Sequence, residues 1–469
     1  MTATTQELRS IAPATGQALG AVIVASADDV ERLIAAARAA QWEWWRRGAV
    51  QRAALLIAVA ALLDRDRDEI ARLMAAEVGK PLRESTAEVA RASQILSYYG
   101  GVGRELGGFV RSSADASVDI LARQVPVGVA AVISPWNFPV AIPVWKIAPA
   151  LASGCTVVWK PAPEAALTAE RVARAFEEAG MPRDVLGIAQ GGGTVGAALV
   201  DGDIDALSFT GSTGVGERIG QQVGGQGRPR LTLELGGVNV AHVLRDADVD
   251  RAAADIAAAA YGYAGQKCTA TQVVAVDRTR LDEFVPALER AAGELAVGDP
   301  LDSGTAVGPV ISADEGRDLR ARVAEAARAA PHAWEGEAPE GPAFVAPTLL
   351  LVDQPDSPLL GEEFFGPVAA VIGVDSDDDR RAVASASGLG LAAAVYGRDE
   401  AEIRRVVNRL SAGVIAINRP STGLDPHVPF GGWNGSGGAF FEQGTEGLRF
   451  YLKWQTQYWR TADVDAGWV

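Results

Sequence analysis

Val127-Gly-Val-Ala-Ala-Val-Ile-Ser-Pro-Trp-Asn-Phe-Pro139 sits where the texture of the chain changes. Upstream the pattern is helical. Ser26, followed by Asp28, Asp29 and an Ala-rich periodic run to Arg47, predicts a capped amphipathic helix. Ala49–Glu77 predicts a second helix, ending at Gly79-Lys80-Pro81. From Val125 onward short β-branched runs appear at Val127–Ile133, Thr156–Trp159, Ala206–Phe209, Leu231–Leu235 and Val273–Val276. Helical segments such as Ala165–Ala179 separate them, and that alternation indicates βαβ units and a parallel sheet. It resumes at Val368–Val374, Ala392–Tyr396 and Val414–Ile417, so the expected fold class is α/β with two parallel-sheet domains.

Composition narrows the function classes. The chain has 469 residues, 48% hydrophobic and 22% charged, enough for two or three domains and a core that needs no staple. Two cysteines, three histidines and no CxxC pattern argue against a structural zinc site, and no metal is expected. A net charge of −16, spread along the chain, argues against nucleic-acid and anionic-membrane partners. Met1–Ser10 lacks a signal-peptide pattern, and the apolar stretches fall well short of a span of about 20 residues. The expected compartment is cytoplasmic.

Five segments carry chemistry. Gly265-Gln-Lys-Cys-Thr-Ala-Thr271 places Cys268 after glycine and polar residues, before a strand. A lone cysteine is by default a small buried hydrophobe, which suits Cys155, whereas Lys267 and nearby amides are expected to stabilise a Cys268 thiolate. Glu234 ends the apolar run Leu231-Thr-Leu-Glu-Leu-Gly-Gly237, where it is either a strand-end residue facing water or a general base. Phe209-Thr-Gly-Ser-Thr-Gly-Val-Gly216 opens a helix and can hold a pyrophosphate, as can Gly191-Gly-Gly-Thr-Val-Gly196, although the GxGxxG spacing is not met. Asn137, between two aromatics in the Ser134–Pro139 turn, either stabilises its own turn or offers an amide to an oxyanion.

Together these segments resemble the aldehyde dehydrogenase superfamily, from about Ile11 to Tyr458. The resemblance is carried by Pro-Trp-Asn-Phe-Pro (135–139), Lys-Pro-Ala (160–162), Phe-Thr-Gly-Ser-Thr (209–213), Glu-Leu-Gly-Gly (234–237), Gly-Gln-Lys-Cys (265–268), Glu-Glu-Phe-Phe-Gly-Pro (362–367) and Pro-Phe-Gly-Gly (429–432). Seven motifs in the family's order are far more specific than any one of them. The resemblance implies NAD(P)-dependent oxidation of an aldehyde to a carboxylate. Cys268 matches the nucleophile, Glu234 the base that activates the deacylating water, and Asn137 with the Cys268 amide the oxyanion hole. Ser212, Gly211 and Gly192 match positions around the cofactor pyrophosphate; Trp136 and Lys160 match positions near the adenosine half. Glu363 matches a residue on the nicotinamide ribose, with Phe365 packed nearby, and Phe209, Val215 and Leu235 complete the cofactor-binding set.

The family resemblance further implies a dinucleotide-binding domain (1–109 and 127–236), a catalytic domain (237–445) and a β extension for oligomerisation (110–126 and 446–469). An exposed strand edge there predicts a homodimer or homotetramer. Pro163 replaces the glutamate common in NAD-specific relatives, with Glu164 next, so the cofactor is NAD or NADP with a lean to NADP or dual use. Val238-Asn-Val-Ala241 departs from the usual Lys-Ser-Pro and is assigned only a packing change. The stretches 141–151, 265–271 and 442–444 look like the branch that oxidises 2-oxoglutarate semialdehyde. Trp145 near the expected tunnel and Trp433 near its mouth suit an aromatic or apolar aldehyde equally well. Glu234 disfavours a coenzyme A-acylating relative, since thiol attack needs no activated water. The phosphate-type turns would have no purpose in a cysteine hydrolase, and a non-catalytic relative would not need Cys268 and Glu234 together.

Overall fold

The structure, a computed structural model, describes residues 6–227 and 229–460. Residues 1–5 and 461–469, within the expected first domain and the expected extension, lie outside the described residues. Ser26 caps helix α1 (Ala27–Arg46): its hydroxyl accepts from the Asp29 amide at 3.1 Å, and the Asp29 carboxylate accepts from the Ser26 amide at 2.8 Å. The expected second helix is two, α2 (Ala49–Arg65) and α3 (Arg67–Val78). The break falls at Asp66 (φ −101°, ψ 16°), whose carboxylate accepts from Arg65 at 2.6 Å and from Arg171. Gly79, at φ 71°, ends α3 before α4 (Leu82–Val102).

Five parallel strands form the first large sheet, in the spatial order Leu186–Ile188, Thr156–Lys160, Val129–Ile133, Ala206–Thr210, Arg230–Glu234. Val129–Ile133 is buried throughout, which explains its unbroken apolar run. Ala130 and Val132 pack into the core under α2 to α4, α5 (Ala141–Ser153) and α6 (Ala166–Glu178). Val129, Ala131 and Ile133 face α1, α7 (Gly193–Asp201) and α8 (Thr213–Gln226) on the other side. The chain starts at the central strand, winds outward one way, and then returns to build the other side. Winding reverses between Val129–Ile133 and Ala206–Thr210, and a crevice opens at the carboxyl ends of strands at such a reversal.

A second sheet has seven strands: His332–Glu335, Thr348–Val352, Val368–Val374, Thr271–Asp277, Asn239–Val243, Ala392–Tyr396 and Val414–Ile417. All pairings are parallel except that of His332–Glu335 with Thr348–Val352. Its two faces feed separate cores, Val274 and Val276 on one side and Val273 and Ala275 on the other. Gly108–Ser112, Val118–Pro126 and Leu452–Arg460 make a third, antiparallel sheet with Val118–Pro126 in the middle. Its outer strands expose Trp454, Tyr458, Trp459 and Val110. Among the described residues no helix is long and apolar enough to cross a membrane.

Candidate active site

Parallel topology gathers residues far apart in sequence along one edge of the first sheet. Asn137 stands on the turn after Val129–Ile133, Lys160 and Glu234 end their strands, and Gly211 and Ser212 follow Ala206–Thr210. The second sheet meets this edge with its amino ends, bringing Gly236-Gly237 before Asn239–Val243 and Cys268 before Thr271–Asp277.

Cys268 is held by a strained loop. Tyr263, Ala264 and Gly265 all adopt positive φ (57°, 52° and 68°). A Cβ on Gly265 would lie 2.1 Å from the Gly366 carbonyl oxygen, so no other residue fits. Gln266 is buried: its side chain accepts from the Ile311 amide at 2.8 Å and donates to the Pro309 carbonyl at 3.2 Å. Asn239 donates to the carbonyls of Cys268 and Ala270, each at 2.8 Å, and accepts from the Ala392 amide. The packing-only role read for Asn239 is therefore too small, because it clamps the main chain at Cys268. Burial, then Glu234 and Glu363, push the Cys268 thiol up to about 12, against the pull of the Cys268 and Thr269 amides. Lys267 does not serve the thiolate as expected; its ammonium pairs with Glu84 at 2.9 Å. Cys155 is buried and its thiol is pushed up to about 11, as befits an inert core residue.

Glu234 is 3% exposed, and neither carboxylate oxygen has a hydrogen-bond partner among the described residues. A Cβ on Gly431 would sit 3.0 Å from its Oε1. Burial raises its pKa well above the carboxylate range, and Glu442 adds to the rise while Lys146 opposes it. Those two belong to one buried cluster. Lys146 pairs with Glu442 and donates to the Ser208 hydroxyl at 2.8 Å. Ser208 donates to Glu442 at 2.9 Å, and Trp145 donates its indole N–H to the other Glu442 oxygen at 2.7 Å. No role for Lys146 or Glu442 is visible in the sequence, because 296 residues separate them.

Asn137 is buried and donates to the Gln266 carbonyl at 3.0 Å, while its Oδ1 has no partner among the described residues. Its own carbonyl accepts from Lys80 at 2.8 Å. Lys80 is fully buried, paired with Glu88, and lies 3.5 Å over the Phe138 ring. Glu88 in turn accepts from the amides of Val140 and Ala141 at 2.9 and 3.0 Å, so a buried ion pair fixes both ends of the turn. Beside Cys268 opens a cavity of about 400 Å³ with Phe138, Trp145, Leu424 and Phe430 in its walls. Trp433 is not in those walls. Its main chain pairs with Gly390 and the residue is 46% exposed.

The crevice fits a dinucleotide. Ser212 caps α8 with its backbone only, so its hydroxyl is uncommitted, and the buried hydroxyls of Thr210 and Thr213 lack partners among the described residues. Cβ atoms on Gly192, Gly193 or Gly214 would meet nothing within 4 Å. These features suit a pyrophosphate at helix amino ends. Phe209 and Leu235 form the floor: a Cβ on Gly211 would strike the Phe209 ring at 2.6 Å, and one on Gly216 the Leu235 side chain at 2.3 Å. Val215 packs against the same core. Lys160 is buried and donates to the Pro161 carbonyl at 2.8 Å. Glu363 accepts from the Gly237 amide at 3.2 Å, and Arg322 holds its carbonyl at 2.8 Å. Trp136 and Phe365, read from opposite halves of the cofactor, pack edge to face at 5.7 Å, so Trp136 stands on the Glu363 side. Among the described residues no group of three or more His, Cys, Asp or Glu is placed to hold a metal.

The aldehyde dehydrogenase family model matches residues 1–457. A Haloferax volcanii protein called alpha-ketoglutarate semialdehyde dehydrogenase is 39% identical over 440 residues, covering 92% of this chain and 91% of its own length. An NAD-dependent aldehyde dehydrogenase from Sinorhizobium meliloti superposes with a TM-score of 0.91 at 32% identity, over 98% of this chain and 93% of that one. An NADP dependent enzyme from E. coli superposes at 0.92 and 32% identity, over 97% and 95%. The two-sheet α/β architecture expected from the strand pattern is thus the fold of these enzymes. The chain belongs to the aldehyde dehydrogenase family, the NAD(P)-dependent oxidoreductases to which its motifs and its fold both point.

Proposed function

We propose that the enzyme oxidises a short carboxylated semialdehyde, such as 2-oxoglutarate semialdehyde, through a thioester on Cys268. The observation that carries the mechanism is a buried carboxylate, Glu234, with no hydrogen-bond partner among the described residues and close enough to Cys268 to raise its thiol pKa. The Cys268 thiol releases its proton to water as the sulfur adds to the aldehyde carbon, and the oxyanion is held by the free N–H of the Asn137 amide and the Cys268 backbone N–H. Ser212, Gly211, Gly192, Lys160, Trp136, Glu363 and Phe365 would hold NAD(P)⁺, which when bound would supply the hydride acceptor for oxidation of this adduct to the thioester. Glu234 takes a proton from water, the resulting hydroxide attacks the thioester carbon, and the C–S bond breaks to release carboxylate and restore the thiolate. Burial raises the Glu234 pKa, which makes its carboxylate a stronger base towards water.

The name of the Haloferax volcanii relative supports the semialdehyde. The aromatic wall of Trp145, Phe138 and Phe430 favours a second reading, an aromatic or apolar aldehyde. Steady-state kcat/KM on a panel containing 2-oxoglutarate semialdehyde, succinic semialdehyde, pentanal and benzaldehyde decides between them: preference for the uncharged aldehydes would remove the first reading. Residues 1–109 with 127–236 are assigned to cofactor binding, 237–445 to catalysis, and 110–126 with 446–469 to oligomerisation. The exposed aromatic edge of the third sheet supports a homodimer or homotetramer. The cytoplasm is the proposed compartment, supported by the acidic charge and two free thiols.

A further inference from the structure

One face of α4 lines the Cys268 cavity. Glu84, Ala87, Glu88, Arg91 and Gln94 follow each other at intervals of one to four residues, which places them on one helical stripe. Three of them are charged. Two are already committed, Glu84 to Lys267 at 2.9 Å, and Glu88 to Lys80 and the amides of Val140 and Ala141. Of the two cations in the cavity wall, Lys267 is therefore neutralised. Arg91 is not: among the described residues its guanidinium makes no hydrogen bond, and no carboxylate lies within 4 Å. Its counter-charge is the more distant and exposed Asp425, on the loop that closes the cavity beyond Leu424. Arg91 is half-buried, and burial lowers its pKa, as befits a guanidinium without a close partner.

A partly desolvated guanidinium with its fork of donors free recognises a planar anion, and a carboxylate fits it bidentately. The aldehyde end of a bound substrate must lie at Cys268, in the same cavity. We propose that Arg91 is the specificity-determining residue of the tunnel, binding the carboxylate of a semialdehyde whose carbonyl carbon is presented to Cys268. This rests on the semialdehyde reading above and names the group that enforces it. The tunnel then divides its work: Trp145, Phe138 and Phe430 enclose the carbon chain, and Arg91 selects the charged end.

Kinetics of Arg91→Met and Arg91→Lys with 2-oxoglutarate semialdehyde and with pentanal test this. Methionine keeps the apolar stem and removes the charge. For Arg91→Met the expected result is a fall in kcat/KM of at least about thirty-fold for the semialdehyde, carried mainly by KM, with pentanal changed by less than about threefold. Arg91→Lys should recover part of the loss, since the charge returns without the fork. Equal losses on both substrates would overturn the proposal in favour of a packing role, and so would an unchanged preference for the semialdehyde. If the wild-type enzyme itself oxidised pentanal but not the semialdehyde, the substrate reading and the Arg91 assignment would fall together. A wild type that prefers the semialdehyde, with Arg91→Met sharing that preference, would overturn the Arg91 assignment alone.

Discussion

The side-chain amide of Asn239 donates to the carbonyl oxygen of Cys268 at 2.8 Å, tying the first strand of the catalytic sheet to the residue that carries the thiol. Its second bond, to the Ala270 carbonyl, leaves the loop little freedom to tilt. Asn239→Ala removes both donors and strands two carbonyls and the Ala392 amide. We expect kcat/KM to fall at least about tenfold through misplacement of the sulfur. Stability should fall by about 1–3 kcal/mol. Denaturant unfolding with parallel kinetics checks both, and wild-type activity would show that the loop needs no such clamp.

Glu234 stores instability in exchange for reactivity. Its folded pKa lies above the unfolded value, so its favourable contribution is fully present below about 4.5 and is lost as pH rises through the raised value. Glu234→Gln should therefore stabilise the protein, by about 1–3 kcal/mol at pH 8, and by progressively less as the pH is lowered. Thermal melts at pH 5.5 and pH 8 measure the difference. A variant destabilised equally at both would contradict the account of an unpartnered buried charge.

Glu442 raises the pKa of Glu234, and Lys146 lowers it. Glu442→Gln should consequently move the acidic limb of the kcat–pH profile, the limb set by deprotonation of the base, to lower pH. The amide oxygen can still accept from the Trp145 indole, so the wall of the cavity is kept. A shift to higher pH, or none, would mean that the buried cluster does not act on the base.

Burial lowers Lys160 to about 8, against the attraction of Glu164. It is charged below that pH and loses its charge above it. If Lys160 pairs with a 2′-phosphate, the ratio of kcat/KM for NADP to that for NAD should drop as pH rises through about 8, and Lys160→Met should flatten the curve. A pH-independent ratio in the wild type would remove Lys160 from cofactor choice.

Strands and motifs were legible in the sequence because each depends on a few adjacent residues. The unbroken apolar run Val129–Ile133 signals a strand buried on both faces, and Ser26 with Asp29 signals a cap, without reference to the rest of the chain. What was not legible depends on contacts between distant residues. Lys267 stands beside Cys268 in the chain, yet Glu84 captures its charge from α4. Lys146 and Glu442 meet only because the C-terminal segment folds back over α5, and the break at Asp66 needs Arg171 from α6.

The central claim is that Cys268 carries an acyl group that Glu234 then releases through water. Rapid mixing of Glu234→Gln with NAD(P)⁺ and an aldehyde that the wild type oxidises tests it most directly, with intact-mass analysis of the quenched protein. The account predicts a burst of about one NAD(P)H per active site, then near-arrest, with the acyl mass retained on Cys268. Sustained turnover at the wild-type rate, or a burst without an adduct on Cys268, would contradict it.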